Sequence, residues 1–144
     1  MRPAPDRYVL DASVGIKLFV DEPDSDKAAR LLAGLAADPA AEIHVPDLFY
    51  IECANILLKY TRRFNRRLED ALADIQDLAG LTLQNTPTAE LSQAALQLAS
   101  QTNLSAYDAC YAVLAQKLEI PLITADERLA RTIAWAIWLG DIAT

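Results

Sequence analysis

Short apolar runs alternate along this chain with longer stretches of helical spacing. Arg7–Leu10, ending in Tyr8-Val9-Leu10, reads as a buried strand, and a helix follows near Ser13–Val20. Asp21-Glu22-Pro23-Asp24 breaks the pattern before it resumes as an amphipathic helix over Ser25–Ala37. Glu42–Val45 reads as a second strand, stopped by Pro46. Asp47 is placed to cap the next helix, which runs to about Arg62. That segment is apolar nearly all round, so substantial burial is expected of it. Arg66–Ala79 predicts another helix, Leu81–Gln84 a third strand, and Thr88–Gln101 and Ala106–Lys117 two further helices. Leu122–Thr124 follows Pro121 as a fourth strand, then a short helix over Glu127–Ile133 and a last strand over Ala136–Leu139. Strands alternating with helices in this way imply an α/β fold, a parallel sheet of four to five strands sandwiched by helices. No repeat, low-complexity tract or linker interrupts the pattern, so residues 1–144 read as a single domain.

Composition narrows the class. Hydrophobic residues make up 53% and charged residues 23% of the 144, a globular balance that buries roughly two-thirds of the unfolded surface. No apolar run reaches the ~18 residues of a membrane span, and the first residues lack the apolar core of a signal peptide. Two cysteines, Cys53 and Cys110, are too few for a disulfide framework, which favours a cytoplasmic location. His44 is the one histidine; it excludes a multi-histidine metal site and leaves little room for a Ser-His-Asp triad. The net charge of −7 argues against nonspecific nucleic-acid binding through the whole surface. Basic charge is nevertheless concentrated. Lys59, Arg62, Arg63, Arg66 and Arg67 fall within nine residues, interleaved with Tyr60 and Phe64. They form either a solvated helix end and turn or a local phosphate-contacting patch.

Four acids occupy apolar segments, where carboxylates are rarely found without a partner. They are Asp11, Glu52, Asp108 and Asp126. Asp11 follows the first strand and Asp126 the fourth, so both project at the carboxyl rim of the sheet, where α/β folds gather their sites. Each can also be read as a helix N-cap. Ser105-Ala106-Tyr107-Asp108 has capping-box spacing, which gives Asp108 a structural reading of its own. Glu52 lies inside a helix among Phe49, Ile51, Ala54, Ile56 and Leu57, and is the hardest of the four to explain as a surface residue. Asn55, three residues on, shares its helix face, and Lys59 continues that stripe. Four converging carboxylates repel one another unless a cation sits among them, which points to a divalent metal site.

The ordered set resembles the PIN-domain ribonucleases, particularly the VapC-type toxins of prokaryotic toxin–antitoxin pairs. Val9-Leu10-Asp11-Ala12-Ser13 opens the likeness, and Pro46-Asp47-Leu48 leads to Glu52-Cys53-Ala54-Asn55. Leu104-Ser105-Ala106-Tyr107-Asp108-Ala109-Cys110-Tyr111 and Pro121–Leu129 complete it, over about residues 8–130. The resemblance implies a PIN-like fold with one acidic cleft that binds Mg²⁺ or Mn²⁺. Its ligands would be Asp11, Glu52, Asp108 and Asp126, directly or through water, with Ser13, Asn55 and Thr124 in support. It also implies an RNA substrate, a homodimer and a cognate antitoxin that blocks the cleft. Asp47, where the family carries a small or neutral residue, and the low isoelectric point of about 4.6 depart from the pattern. The segment Trp135–Thr144 is less family-like.

Charge dictates the expected chemistry. Hard oxygen ligands suit Mg²⁺, which keeps several waters and takes one or two carboxylates directly. Asp11 and Asp108 are the expected inner ligands, and Asp126 holds a second ion or a water. Glu52 positions the water that attacks an RNA phosphodiester, leaving a 5′-phosphate and a 3′-hydroxyl. Three alternatives stay open: an aspartyl-nucleophile phosphotransferase, a PIN nuclease that processes RNA without being a toxin, and a non-catalytic PIN-like binding protein. The first usually needs a second Asp two residues beyond the nucleophile, where this chain has Ser13.

Overall fold

A computed structural model describes residues 1–143. Five strands form one parallel sheet: β1 (Arg7–Leu10), β2 (Glu42–Pro46), β3 (Gln84–Thr86), β4 (Leu122–Thr124) and β5 (Ala136–Trp138). Their spatial order is β3-β2-β1-β4-β5. From the central β1 the chain steps outward to β2 and β3, then returns to the other side for β4 and β5. The topological switch point therefore lies between β1 and β4, where α/β sheets open a crevice beyond their strand ends. Tyr8, Val9 and Leu10 are all buried although alternate residues face opposite sides, so both faces of β1 are covered.

Seven α-helices supply that cover: α1 (Ala12–Gly15), α2 (Ser25–Ala37), α3 (Leu48–Arg63), α4 (Leu68–Ala79), α5 (Thr88–Ser100), α6 (Ala106–Leu118) and α7 (Glu127–Thr132). The helix expected over Ser13–Val20 is a single α-turn that tightens into a 3₁₀ turn over Ile16–Leu18. Gly15 is needed there for close approach, since a Cβ on it would stand 2.7 Å from the buried ring of Phe49 in α3. That contact seats α1, and with it Asp11, against the helix that carries Glu52.

Burial falls elsewhere than the apolar pattern implies. α3 buries only Phe49, Cys53 and Leu57, and Ile51 stands 70% exposed. The helix enclosed on all sides is α6, in which every residue from Ala109 to Ala115 is buried. Small residues at Ala109, Ala112 and Ala115 let it lie close to the sheet. Trp135 fastens it further by donating its indole N–H to the Ala112 carbonyl at 2.8 Å.

Two boundaries and one cap differ from the pattern for local reasons. Asn65 adopts a left-handed φ of 53° after α3, and Arg67 is extended, so α4 starts at Leu68 rather than Arg66. The third strand is Gln84–Thr86, not Leu81–Gln84. Leu81 and Leu83 belong to the turn that leads into it, and the polar strand forms an edge, where apolar alternation is not required. Asp47 does not cap its own helix. Its carboxylate accepts the Thr88 N–H at 2.9 Å and the Thr88 hydroxyl, while that hydroxyl accepts the Leu48 N–H at 3.1 Å. Asp47 and Thr88 thus tie the starts of α3 and α5 together.

Candidate active site

Asp11 leaves the end of β1 at the switch point and is only 5% exposed. Ser13 donates its hydroxyl proton to Asp11 Oδ2 at 2.7 Å, and Thr124, at the end of β4, donates to the same oxygen at 2.8 Å. Both hydroxyls are oriented from behind. Ser13 Oγ accepts the Ala125 N–H at 3.0 Å and Thr124 Oγ1 accepts the Asp126 N–H at 3.0 Å. Each hydroxyl has one proton, and these backbone donors leave it aimed at Asp11. Even so, burial pushes the Asp11 carboxyl up to about 6; the two hydroxyls pull it down, and the charge of Asp108 raises it further.

Asp126 begins α7 as its N-cap, with Oδ1 accepting the Arg128 N–H at 2.9 Å and the Leu129 N–H at 3.3 Å. Asp108 lies in the first turn of α6, where Ser105 Oγ accepts its N–H at 3.1 Å. Asp126 is therefore a cap as read, and Ser105 caps α6, although among the described residues no return bond from the Ser105 N–H to the Asp108 carboxylate completes a box. Neither cap excludes a functional role, since it uses one oxygen or only the backbone. Glu52 is half-buried on α3, and the Tyr111 hydroxyl donates to its Oε1 at 2.6 Å. Burial first, then the charges of Asp11 and Asp108, raise the Glu52 carboxyl, while Tyr111 lowers it. Asp108 is raised by burial and by Asp126, and lowered by Ser105 and Arg128. Asp11, Glu52, Asp108 and Asp126 are thus linked by mutual repulsion across the carboxyl rim of the sheet.

Two residues of this cluster escape a reading by motif alone. Tyr111 is fully buried in α6, one turn beyond Asp108; a phenol inside an otherwise apolar helix was the signal that it has a polar partner. Arg128, two residues after Asp126, supplies the one basic charge felt by Asp108.

The donor set fits a hard divalent cation in chemistry: all oxygen, clustered and mutually repelling. Among the described residues, no three acidic, cysteine or histidine side chains form a ready-made cage. Mg²⁺ does not require one, since water fills most of its octahedron. Glu52 spends only Oε1 and Asp126 only Oδ1 on protein donors, which leaves the second oxygen of each for water or an ion.

Beside Glu52 opens a cleft of about 510 Å³ between α3 and the start of α6, lined by Ile51, Glu52, Asn55, Ile56, Lys59 and Tyr107. Asn55 and Lys59 thus share the face of Glu52, and neither side chain bonds to a described residue of the protein. Arg66 departs from the basic patch. Its guanidinium turns inward, pairs with Asp74 of α4 and reaches the Phe19 carbonyl at 3.4 Å, so it braces the α3–α4 connection. Arg62, Arg63 and Arg67 remain exposed, with Arg67 near Glu69 at 3.7 Å.

A family model described as PIN domain matches residues 8–134. The chain belongs to the PIN-domain family. Among relatives, Ribonuclease VapC3 of Pyrobaculum aerophilum is 35% identical over 126 residues, covering 86% of this chain and 92% of that protein. Ribonuclease VapC9 of Mycobacterium tuberculosis is 32% identical over 124 residues, covering 86% and 89%. A toxin–antitoxin complex from Klebsiella pneumoniae contains a chain of the same fold, with a TM-score of 0.65 at 17% identity over 92% of this chain and 97% of that one. The PIN-domain match takes in all four acids, Ser13, Asn55, Tyr111 and Thr124.

Proposed function

We propose that this protein is a Mg²⁺- or Mn²⁺-dependent endoribonuclease and the toxin of a toxin–antitoxin pair. The observation that carries the reading is the buried Asp11 carboxylate, held by Ser13 and Thr124 within the repulsive field of the other acids. Its relatives named as VapC ribonucleases support the substrate class. Asp11 and Asp108 hold the ion, which when bound supplies positive charge at the phosphoryl oxygens of RNA. Asp126 would hold a further water or ion through the oxygen that the α7 cap leaves unused. Glu52, oriented through Oε1 by Tyr111, presents Oε2 to accept a proton from the attacking water. The water oxygen bonds to phosphorus as the 3′-oxygen leaves, giving a 5′-phosphate and a 3′-hydroxyl. Lys59, Arg62, Arg63 and Arg67 draw in the flanking phosphates.

In this reading the protein works in the cytoplasm as a homodimer, where its two buried, unpaired cysteines stay reduced. A cognate antitoxin covers the crevice and keeps RNA out; the fold shared with a chain of the Klebsiella toxin–antitoxin complex supports a partner of that kind. The test is incubation of purified protein with total cellular RNA under Mg²⁺, Mn²⁺ and EDTA, with folded Asp11→Asn and Asp108→Asn controls. Discrete cleavage that requires metal and both acids is expected. Equal cleavage by Asp108→Asn would overturn the assignment of the acids, and no metal binding at all would favour a non-catalytic PIN protein.

A further inference from the structure

The cleft beside Glu52 keeps two large apolar side chains in solvent, although neither is needed to close the core. Ile51 is 70% and Tyr107 65% exposed, one on each side of the opening. Between and beyond them stand the Asn55 amide and the Lys59 ammonium, with no hydrogen bond or salt bridge to any described residue. An aromatic face, an unpaired amide and an unpaired cation in one groove match three parts of a nucleotide: the base plane, the base edge and the phosphate. Glu52 stands on the wall of the same groove, so whatever occupies it lies next to the acid cluster.

We propose that this cleft seats a single unpaired nucleotide of the RNA substrate, with its base stacked on Tyr107, its edge read by Asn55 and its phosphate drawn to Lys59. The inference rests on the nuclease reading and adds to it a requirement on the substrate. A base must leave its helix to lie on a side-chain ring, so the nucleotide beside the scissile bond is in a loop, bulge or single strand. Tyr107 follows one residue after Ala106, the first of α6, and precedes Asp108, so the helix that carries the acid also fixes the ring. The register between stacked base and cut bond is therefore set within the first turn of α6, where ring and acid are adjacent in the chain. The exposed Ile51 side chain closes the far wall against the sugar and excludes water without contributing base preference.

The experiment uses the full chain carrying Asp108→Asn, so that the probe survives, and a short fluorescein-labelled single-stranded oligoribonucleotide of non-pairing sequence. Binding is read by anisotropy, and KM and kcat are measured separately in the cleaving protein. Tyr107→Ala is expected to weaken binding by about ten-fold or more, the range of one lost base–aromatic stack, and to raise KM with little change in kcat. Tyr107→Phe retains affinity, whereas Tyr107→Leu binds as poorly as the alanine variant. Lys59→Ala lowers affinity and reduces the slope of log K against log salt by about one. Unchanged affinity in Tyr107→Ala overturns the inference and leaves the nuclease reading standing. Leu equal to Phe also overturns it, because the groove then acts as a plain apolar contact of the kind a protein partner makes. If the parent protein neither binds nor cuts RNA, the nuclease reading itself fails, and that is seen before any cleft variant is made.

Discussion

Tyr111 shows how a buried side chain can govern an exposed one. Its hydroxyl is the one protein donor to Glu52 among the described residues, at 2.6 Å, and its ring is locked inside α6. Glu52 sits on a different element and has three rotatable bonds, so this hydrogen bond decides which oxygen faces the crevice. Tyr111→Phe keeps the ring and the packing while removing the donor. The expected result is a fall in kcat of roughly ten-fold or more from the lost orientation, with KM for RNA and the urea midpoint nearly unchanged. Losing a donor to the charged form also raises the Glu52 carboxyl, so the acid limb of the pH–rate profile moves to higher pH. A variant with wild-type kcat across pH would show that Glu52 needs no such restraint. The same logic holds for Ser13 and Thr124, whose hydroxyls converge on one oxygen of Asp11 because backbone N–H groups occupy their acceptor sides.

The α3–α4 hairpin divides the basic cluster into two kinds of charge. Arg66 is turned into the hairpin against Asp74 and the Phe19 carbonyl, while Arg62 and Arg63 point to solvent. Arg66→Ala leaves a partly buried Asp74 without its cation and is expected to cost about 2–3 kcal/mol of stability, with no change in the salt dependence of RNA binding. Arg62→Ala and Arg63→Ala are each expected to leave the urea midpoint unchanged and to reduce the salt slope by about one. The opposite pattern, a stable Arg66→Ala with a lower slope, would return Arg66 to the RNA footprint. Nothing in the one-dimensional pattern separates these arginines, since spacing records proximity along the helix and not the partner that arrives from α4. Similar blindness explains α3, whose apolar circumference suggested burial when its exposed face in fact lines a cleft. It also explains β3, whose polar edge carries no alternation. By contrast, β1 and β4 were legible because central parallel strands are apolar throughout, and Asp11 and Asp126 could be placed at the carboxyl rim because they directly follow those strands.

For the molecule as a whole, the acid cluster stores an electrostatic cost that the fold bears until something positive enters. Asp11 is raised from its ordinary 3.8 to about 6, chiefly by burial, so the folded state holds that proton more tightly than the unfolded chain does. Its contribution to stability is complete below the unfolded pKa and is lost as pH rises through the folded one, over a window of about pH 4 to 6. The loss amounts to about 3 kcal/mol for a group this buried. Glu52 and Asp108 are raised in the same direction and add to it. Glu42 and Asp47, held low by hydrogen bonds from His44 and Thr88, act with the opposite sign, but both lie at the surface and their contribution is lost only as pH falls. Urea unfolding in EDTA is therefore expected to give a lower midpoint at pH 7 than at pH 5. Asp11→Asn, uncharged at both, should flatten that difference and be the more stable protein at pH 7 while losing cleavage. Mn²⁺ binds only where the acids are ionised, so it should restore most of the lost stability to the wild type at pH 7, little at pH 5, and little to Asp11→Asn at either. A wild-type midpoint in EDTA that rises from pH 5 to pH 7 would mean that Asp11 is already compensated within the protein. The crevice would then have no electrostatic need for a cation.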